Sequence, residues 1–467
     1  MAAKKRLDVL LVERGLAPTR AQAQSLILAG LVYGGGQKLE KAGTQFDESA
    51  EIEVRGKEHP YVSRGGVKLS AALKDFAVNP EGKTAVDVGA STGGFTDCLL
   101  QNGAKSVLAL DVGKGQMDWK LRTDPRVKVV EGFNARNLSP ETAGGFFDIA
   151  VIDVSFISLD LVLERAASVV VEGGIIIALV KPQFEAGRAE VGKGGVIKDP
   201  KVMEKTVEKV VALGISLNLV LLGRSESPIT GAKGNREFFA VFLNPPKDDK
   251  LLVRRERPFP RTETSGTTFY PITNRGESLK PLIRAGVKMF QLRIKDLTGE
   301  QLETEIATAI KLSRESGCML FINDFWELAV KHGAFGVHLG QEDIVGADLD
   351  LIQKAGLRLG VSSHDHLEGA RARALRPSYI AFGPVFHTQL KSMRFAPQGV
   401  ERLKAWKSMN PFPIVAIGGI TLENAAEVLT ARPDFISVVG DVANAPDPEG
   451  RAAQWLRLLA PPPGGVN

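Results

Sequence analysis

Cysteine is nearly absent from this chain: Cys98 and Cys318 are the only two in 467 residues. They lie far apart and in no CxxC spacing, which excludes a disulfide framework and a cysteine-built zinc site and predicts two small core residues. Long apolar runs are missing too. The longest, such as GGIIIALV, have strand length and fall well short of the roughly 20 residues a membrane-spanning helix needs. The amino terminus MAAKKRLDVLLVERG turns from basic to apolar, but Asp8 and Glu13 interrupt it before a secretory core forms. A cytoplasmic protein without a membrane partner is therefore expected. Nor is there a strong charge imbalance. The 59 Lys and Arg against 54 Asp and Glu leave a net charge of +5 and a pI of 9.0, compatible with a polyanionic partner but too mild to indicate one.

What is present is ordinary for a folded globular protein, with 44% hydrophobic and 24% charged residues. The length suggests about three domains at roughly 100 to 200 residues each. A Pro- and charge-rich stretch, NPPKDDKLLVRRERPFPRTETSG, runs from Asn244 to Gly266 and separates two unrelated sets of motifs. Its composition reads as a tether between independent units. The chain accordingly divides into residues 1–59, 60–245, a linker at 246–266, and 267–467.

In the first segment, RLDVLLVERGLAPTRAQAQSLILAGLVYGGGQK predicts two short helices and a hairpin. Leu7, Val9, Leu10 and Leu11 supply an apolar face, Gly15 and Pro18 break the first helix, and Thr19 caps the second. Gly30 and the triple glycine from Gly34 end it. Lys4, Lys5, Arg6, Arg14, Arg20 and Lys38 stay outside, either as a solvated face or as contacts to a phosphate backbone. The succession RLD, RGL, TRAQA, LI, GLV and a glycine hairpin resembles the alpha-L RNA-binding motif over about residues 5–55. That resemblance implies binding to structured RNA, with Arg6, Arg14, Arg20 and Lys38 as its contacts.

The second segment holds TAVDVGAST, SVLALDVG, VKVVEG, IAVIDVS, GIIIALVK and FFAVFLN, buried-type strands separated by helix-length stretches. The fold class is α/β, here a Rossmann-like doubly wound parallel sheet, whose ligands lie at the carboxyl ends of the strands. In DVGASTGGFTDCLL, Gly89, Gly93 and Gly94 allow a close turn, and Asp111 ends the second strand where it can accept hydrogen bonds from ribose hydroxyls. The spacing is not the dinucleotide pattern, so S-adenosylmethionine fits best, with Asp87, Gly89, Gly93, Gly94, Phe95 and Asp111 as its contacts. A tight turn needing no ligand is the plainer reading. Asp153 and Lys181 end strands, Glu237 begins one, and Lys68 lies ahead of the sheet.

YVSRGGVKLSAAL, DVSFISL, LVKPQFEAGR and KGNREFF, following the alpha-L motif, resemble the haemolysin-like TlyA ribosomal RNA 2′-O-methyltransferases over residues 5–245. The resemblance implies methylation of a cytidine ribose in ribosomal RNA or ribosomal subunits. It also implies a catalytic Lys, Asp, Lys, Glu set at Lys68, Asp153, Lys181 and Glu237. A ribose hydroxyl needs a base, and a free lysine at about 10.4 is mostly protonated at neutral pH. Lys181 is assigned as the base, crowded by Lys68 and partly desolvated, with Asp153 and Glu237 positioning the amines. A structural ion-pair network is the plainer alternative. No spanning run or long basic amphipathic helix supports lysis, despite the family's older label.

In the third segment TFYPI, KMFQLR, MLFIN, FGVHL, RLGVS, YIAFG, PIVAI and FISVV recur between helix-patterned stretches. Eight such runs predict a closed TIM (β/α)8 barrel with its site at the carboxyl ends of the strands. Gln291, Arg293 and Lys295 alternate and should face one side, where the two cations suit a diphosphate. Asp324 and Asp343 terminate neighbouring strands and could share one Mg²⁺ with it. Gly418, Gly419 and Gly440 sit where barrels hold phosphate. His338 and His364 read as rim or packing residues.

These motifs resemble thiamine-phosphate synthase over residues 268–457. The resemblance implies thiamine precursors as small-molecule substrates. It puts aminopyrimidine diphosphate contacts at Gln291, Arg293, Lys295, Asn323, Ser362 and Lys391, and Mg²⁺ ligands at Asp324 and Asp343. Thiazole phosphate contacts fall at Thr388, Gly419, Val439 and Gly440. Leu390 and Gly440 stand where the family carries hydroxyl residues, and Phe325 and Asn274 also depart from its pattern. Pro384 occupies the position expected for the histidine of the related thiazole tautomerases. The competing reading is an RNA-binding ribosome assembly factor fused to a thiazole tautomerase or a precursor-binding barrel.

Overall fold

The computed structural model describes residues 4–28, 30–54, 59–187, 190–192, 194–231, 234–262, 266–388 and 396–460. The two helices expected at the start are α1 (Leu7–Glu13) and α2 (Arg20–Leu28). Leu7, Leu10 and Leu11 from one and Ala23 and Ile27 from the other are buried together. The expected hairpin is β2 (Val32–Gly34) with β3 (Gln37–Lys38). Three strands escaped the sequence reading: β1 (Lys4–Arg6) pairs antiparallel with β4 (Gln45–Asp47), and β5 (Ile52–Val54) flanks β2.

The second unit begins with α3 (Gly65–Asp75) and continues as a seven-stranded sheet. Its strands are β6 (Thr84–Val88), β7 (Ser106–Asp111), β8 (Val127–Glu131), β9 (Phe147–Ile152), β10 (Val170–Val180), β11 (Val220–Glu226) and β12 (Phe238–Leu243). They run in the order β11-β12-β10-β9-β6-β7-β8. Five pair in parallel, as expected, but β12 is antiparallel to both β10 and β11, which corrects the all-parallel reading and adds β11. Their near-continuous apolar sequence follows from burial on both faces. On one face α3 and α4 (Gly94–Gln101) bury Leu69, Phe76, Cys98 and Leu99; on the other, Leu163, Ala166, Val207 and Val210 pack on the sheet.

The third unit is the eight-stranded barrel. Its strands are β13 (Thr268–Thr273), β14 (Met289–Leu292), β15 (Met319–Asn323), β16 (Gly336–Leu339), β17 (Arg358–Ser363), β18 (Tyr379–Phe382), β19 (Ile414–Ile417) and β20 (Phe435–Val438). All pair in parallel, and β20 closes on β13. Tyr270, Met289, Phe321, Tyr379, Val415 and Phe435 fill the interior. Cys318 is buried in the layer between strands and helices, so both cysteines are core residues. Among the described residues, no helix is long and apolar enough to cross a membrane.

The Pro- and charge-rich segment is a strap rather than a free tether. Arg371 Nε donates to Asp249 at 2.7 Å, the Phe259 amide donates to the Arg376 carbonyl at 2.9 Å, and Arg255 pairs with Asp350. Phe259 is 1% exposed and belongs to the barrel core. The two large units also touch directly. Ala77 joins the barrel core, while Ala370 and Met409 join the core around α3.

Candidate active sites

The turn after β6 is built on glycines for a visible reason. Gly89 has φ +90°, and a Cβ there would lie 2.7 Å from the Asp153 carbonyl; Gly93 has φ +93°. Gly94 opens α4, where a side chain would strike Ser63 and Gly66. The turn thus closes over the β6 and β9 ends and leaves a cavity of 190 Å³ lined by Gly65, Lys68, Gly89, Phe95, Asp153 and Lys181, among others.

Asp111 braces this turn by accepting from the Ser91 amide at 2.7 Å and the Gly113 amide at 2.6 Å. Each carboxylate oxygen keeps acceptor capacity for a ribose hydroxyl. Asp87 is fully buried beneath the turn and accepts from the Thr96 hydroxyl at 2.7 Å, while its Oδ1 has no partner among the described residues. Burial, with a smaller contribution from Asp153, pushes its carboxyl up to about 7. An orphaned buried acceptor, a second carboxylate with spare acceptor capacity and a turn opened by glycines fit a cationic nucleoside cofactor.

The four charged residues meet as two pairs. Lys68, from α3, lies 2.5 Å from Glu237, which precedes β12; Lys181, at the end of β10, lies 2.6 Å from Asp153, at the end of β9. Lys181 also donates to the Ser155 hydroxyl at 2.8 Å. Lys68, Lys181 and Glu237 are each at most 9% exposed. Each buried amine sits against a carboxylate of its own, which offsets the cost of burying either group.

Sequence reasoning missed Phe156. It adopts φ +63°, costly for a bulky residue at about 1–3 kcal/mol, yet its ring is 92% exposed. It packs at a tilt on Phe184, 5.2 Å between centroids, and each ring follows a strand-end charge, Asp153 or Lys181, by three residues. The loop is held by Glu185, which accepts from the Ser158 hydroxyl at 2.7 Å and the Leu159 amide at 2.8 Å. The signal available in DVSFISL was a phenylalanine directly after a polar strand end; its exposure was not readable.

In the first unit, Asp8 is 0% exposed and accepts from Arg6, Arg20 and Gln24. These hydrogen bonds, led by that of Arg6, hold its carboxyl far below the usual carboxylate range despite burial. Arg14 is turned onto the Ala50 and Glu48 carbonyls, and Lys38 is exposed on β3. The four expected RNA contacts therefore divide: Arg6 and Arg20 are fixed on one buried acid but remain 43% and 56% exposed, Lys38 is open, and Arg14 is engaged locally.

At the carboxyl mouth of the barrel, Gln291 is the buried penultimate residue of β14 and donates to the Tyr270 hydroxyl at 3.2 Å. Tyr270 and Tyr379 hydroxyls lie 2.7 Å apart, His338 Nδ1 is 2.9 Å from Tyr379, and His338 Nε2 is 2.9 Å from Ser362. Burial drives the His338 imidazole down to about 4, so it is neutral near pH 7. This chain of hydroxyls fixes both Gln291 and Ser362. Asn323 ends β15, Arg293 is half-buried just past β14, and Lys295 reaches Asp324.

Asp324 follows β15 with φ +66°. Asp343 is not at a strand end but in the first turn of the helix Gln341–Gly346, where it caps the Gly340 amide at 3.1 Å. Burial, and then contact with Asp324, raises the Asp343 carboxyl. Two carboxylates pressed together, with one lysine for compensation, suit a divalent cation that usually takes one or two acids plus phosphate oxygens. No group of three or more His, Cys, Asp or Glu converges here or elsewhere among the described residues. The sequence does contain one HxH pair, but His364 turns to Glu368 and His366 to the Phe76 carbonyl, so it makes no metal site.

Gly418 and Gly419 follow β19 with φ +100° and +66°, and Val439 and Gly440 follow β20 at the adjacent edge. Thr388 is half-buried on the loop after β18. Lys391 and Leu390 lie outside the described residues.

Comparison with known proteins matches three family models in succession. These are the S4 domain over residues 5–52, the FtsJ-like methyltransferase over 61–243 and thiamine monophosphate synthase over 269–442. The first half is 50% identical over 236 residues to the putative rRNA methyltransferase YqxC of Bacillus subtilis (strain 168), covering 50% of this chain and 84% of that protein. It is 46% identical over 255 residues to the 16S/23S rRNA (cytidine-2′-O)-methyltransferase TlyA of Mycobacterium tuberculosis (strain ATCC 25618 / H37Rv), covering 54% and 95%. The second half is 49% identical over 203 residues to the thiamine-phosphate synthase of Serratia proteamaculans (strain 568), covering 43% and 95%.

Proposed function

Since the chain belongs to the TlyA-type rRNA methyltransferases through its first half and to the thiamine-phosphate synthases through its second, we propose that it is one bifunctional transferase. One activity moves a methyl group from S-adenosylmethionine to a cytidine 2′-hydroxyl of ribosomal RNA. The other joins an aminopyrimidine diphosphate to a thiazole phosphate, forming thiamine phosphate and pyrophosphate. A substrate in the ribosome implies a cytoplasmic site of action.

The observation that carries the first reading is a cavity lined by Lys68, Asp153 and Lys181, in which each lysine is held by its own carboxylate. S-adenosylmethionine supplies the electrophilic methyl group when bound. Lys181, once it has released its own proton to solvent, takes the proton from the ribose hydroxyl, and Asp153 and Ser155 fix its amine. Lys68, fixed by Glu237, orients the ribose oxygen for in-line attack. Phe156 offers an exposed ring on which the target base stacks. The Arg6 and Arg20 pair and Lys38 contact RNA phosphates at a distance from the chemistry.

For the barrel, the facing Asp324 and Asp343 carboxylates support Mg²⁺ as the group that offsets pyrophosphate charge. Gln291, Asn323 and Ser362 orient the pyrimidine, and Arg293 and Lys295 hold the diphosphate as it departs. Backbone at Gly419, Val439 and Gly440, with Thr388, holds the thiazole phosphate.

Labelled S-adenosylmethionine incubated with ribosomal subunits tests the first activity: label in ribosomal RNA is expected, and its absence with every subunit ends that reading. The two thiamine precursors with Mg²⁺ should release pyrophosphate. No release would return the barrel to a binding role.

A further inference from the structure

The helix that carries Lys68 does not end inside its own domain. Phe76 caps α3, and its amide and those of Ala77 and Val78 turn back to the Ala72, Lys74 and Leu73 carbonyls. The Phe76 carbonyl instead accepts from His366 Nε2 at 2.7 Å, across 290 residues of sequence. His366 opens the barrel helix His366–Leu375. A last-turn carbonyl at a packed helix end needs such a donor.

The rest of the helix end is seated with it. The Phe76 ring lies against Gly223 of β11, where a Cβ would stand 2.7 Å from the ring, and Ala77 enters the barrel core. His366 is in turn set by Trp406, 6.0 Å between ring centroids, and Trp406 packs over Gly369, where a Cβ would overlap it. On the rim Lys74 pairs with Glu401 at 3.4 Å. Lys68 lies eight residues before Phe76 on this one rigid element, roughly 12 Å along its axis.

We propose that the barrel is a positioning part of the methyl-transfer site: through His366 it fixes the carboxyl end of α3 and so the placement of Lys68 against Glu237. His366 is a positioning residue that touches neither substrate. The inference rests on the methyl-transfer reading above, but the contact itself can be tested apart from it.

The experiment uses the full chain with His366→Phe, which keeps volume and removes the donor, and His366→Gln, which keeps a donor. Hydrogen exchange is followed at residues 65–78, alongside methyl transfer to ribosomal RNA and pyrophosphate release by the barrel. His366→Phe should speed exchange at Ala77 and Val78 by about tenfold, as expected for leaving a packed carbonyl unpaired. It should lower kcat for methyl transfer several-fold, leave KM for RNA unchanged and leave pyrophosphate release within about twofold. His366→Gln should recover both exchange and kcat.

Unchanged exchange and kcat in His366→Phe overturn the proposal, as does a His366→Gln variant no better than His366→Phe. If the parent chain transfers no methyl group, the functional reading fails, while the exchange result still decides whether His366 holds α3.

Discussion

Lys181 and Phe156 stand within a few residues of the same strand ends yet make opposite demands. Lys181 is nearly buried and paired, so its removal should strike chemistry. Lys181→Ala is expected to lower kcat for methyl transfer by about 10²–10⁴-fold with little change in S-adenosylmethionine affinity, read by single-turnover transfer and calorimetry. Phe156 is exposed and strained, so its removal should strike recognition. Phe156→Ala should weaken RNA binding by about 1–3 kcal/mol, the usual worth of a stacked base, while leaving thermal stability nearly unchanged, because the ring is exposed and the Cβ that strains the backbone is kept. A stability loss with normal RNA binding would mean that the ring serves packing instead. The difference between these residues was only partly legible in sequence. A lysine at the end of an apolar strand announces itself, because charge in that place is rarely core filler. A phenylalanine does not, because its type predicts burial and the sign of φ leaves no trace in composition.

Elements were legible where burial repeats locally and obscure where partners are distant. Eight apolar runs gave eight barrel strands, and six runs gave six of the seven strands of the first sheet. The direction of β12 was not readable, since a strand buried on both faces has the same apolar sequence whether its neighbour is parallel or antiparallel. Residues 246–266 show the same limit, because proline and charge suit a strap bound by carbonyls and ion pairs as well as a free linker. Phe259 separates the two: Phe259→Ala should destabilise the barrel by about 3–5 kcal/mol in denaturant unfolding, whereas a residue in a free tether would cost nothing. The α3 contact should also respond to acid. Burial, opposed chiefly by the bond to the Phe76 carbonyl and less by Asp365 and aided by Arg402 and Arg373, holds His366 down to about 4 from the free value of 6.5. The enclosed imidazole is neutral when docked, so the unfolded or undocked form binds the proton more readily. Docking is then fully stable above pH 6.5 and weakens as pH falls toward 4, to be followed by exchange at Ala77 and Val78. Strengthening on acidification would contradict the neutral donor.

At the scale of the molecule, two families whose relatives are matched over 84% to 95% of their own lengths occur here on one chain. Motifs on either side of the strap reveal both chemistries, and their docking is invisible to either motif set because it is made by outward faces of α3 and two barrel helices. Ala77, Ala370 and Met409 interleave the two cores. That interleaving makes the covalent connection dispensable once the protein has folded. A protease cut at Arg254 or Arg257, both exposed on the strap, should leave two fragments that still elute together in gel filtration at neutral pH. Halves expressed apart would each carry a greasy scar where the other belongs, and should be far less soluble than the whole.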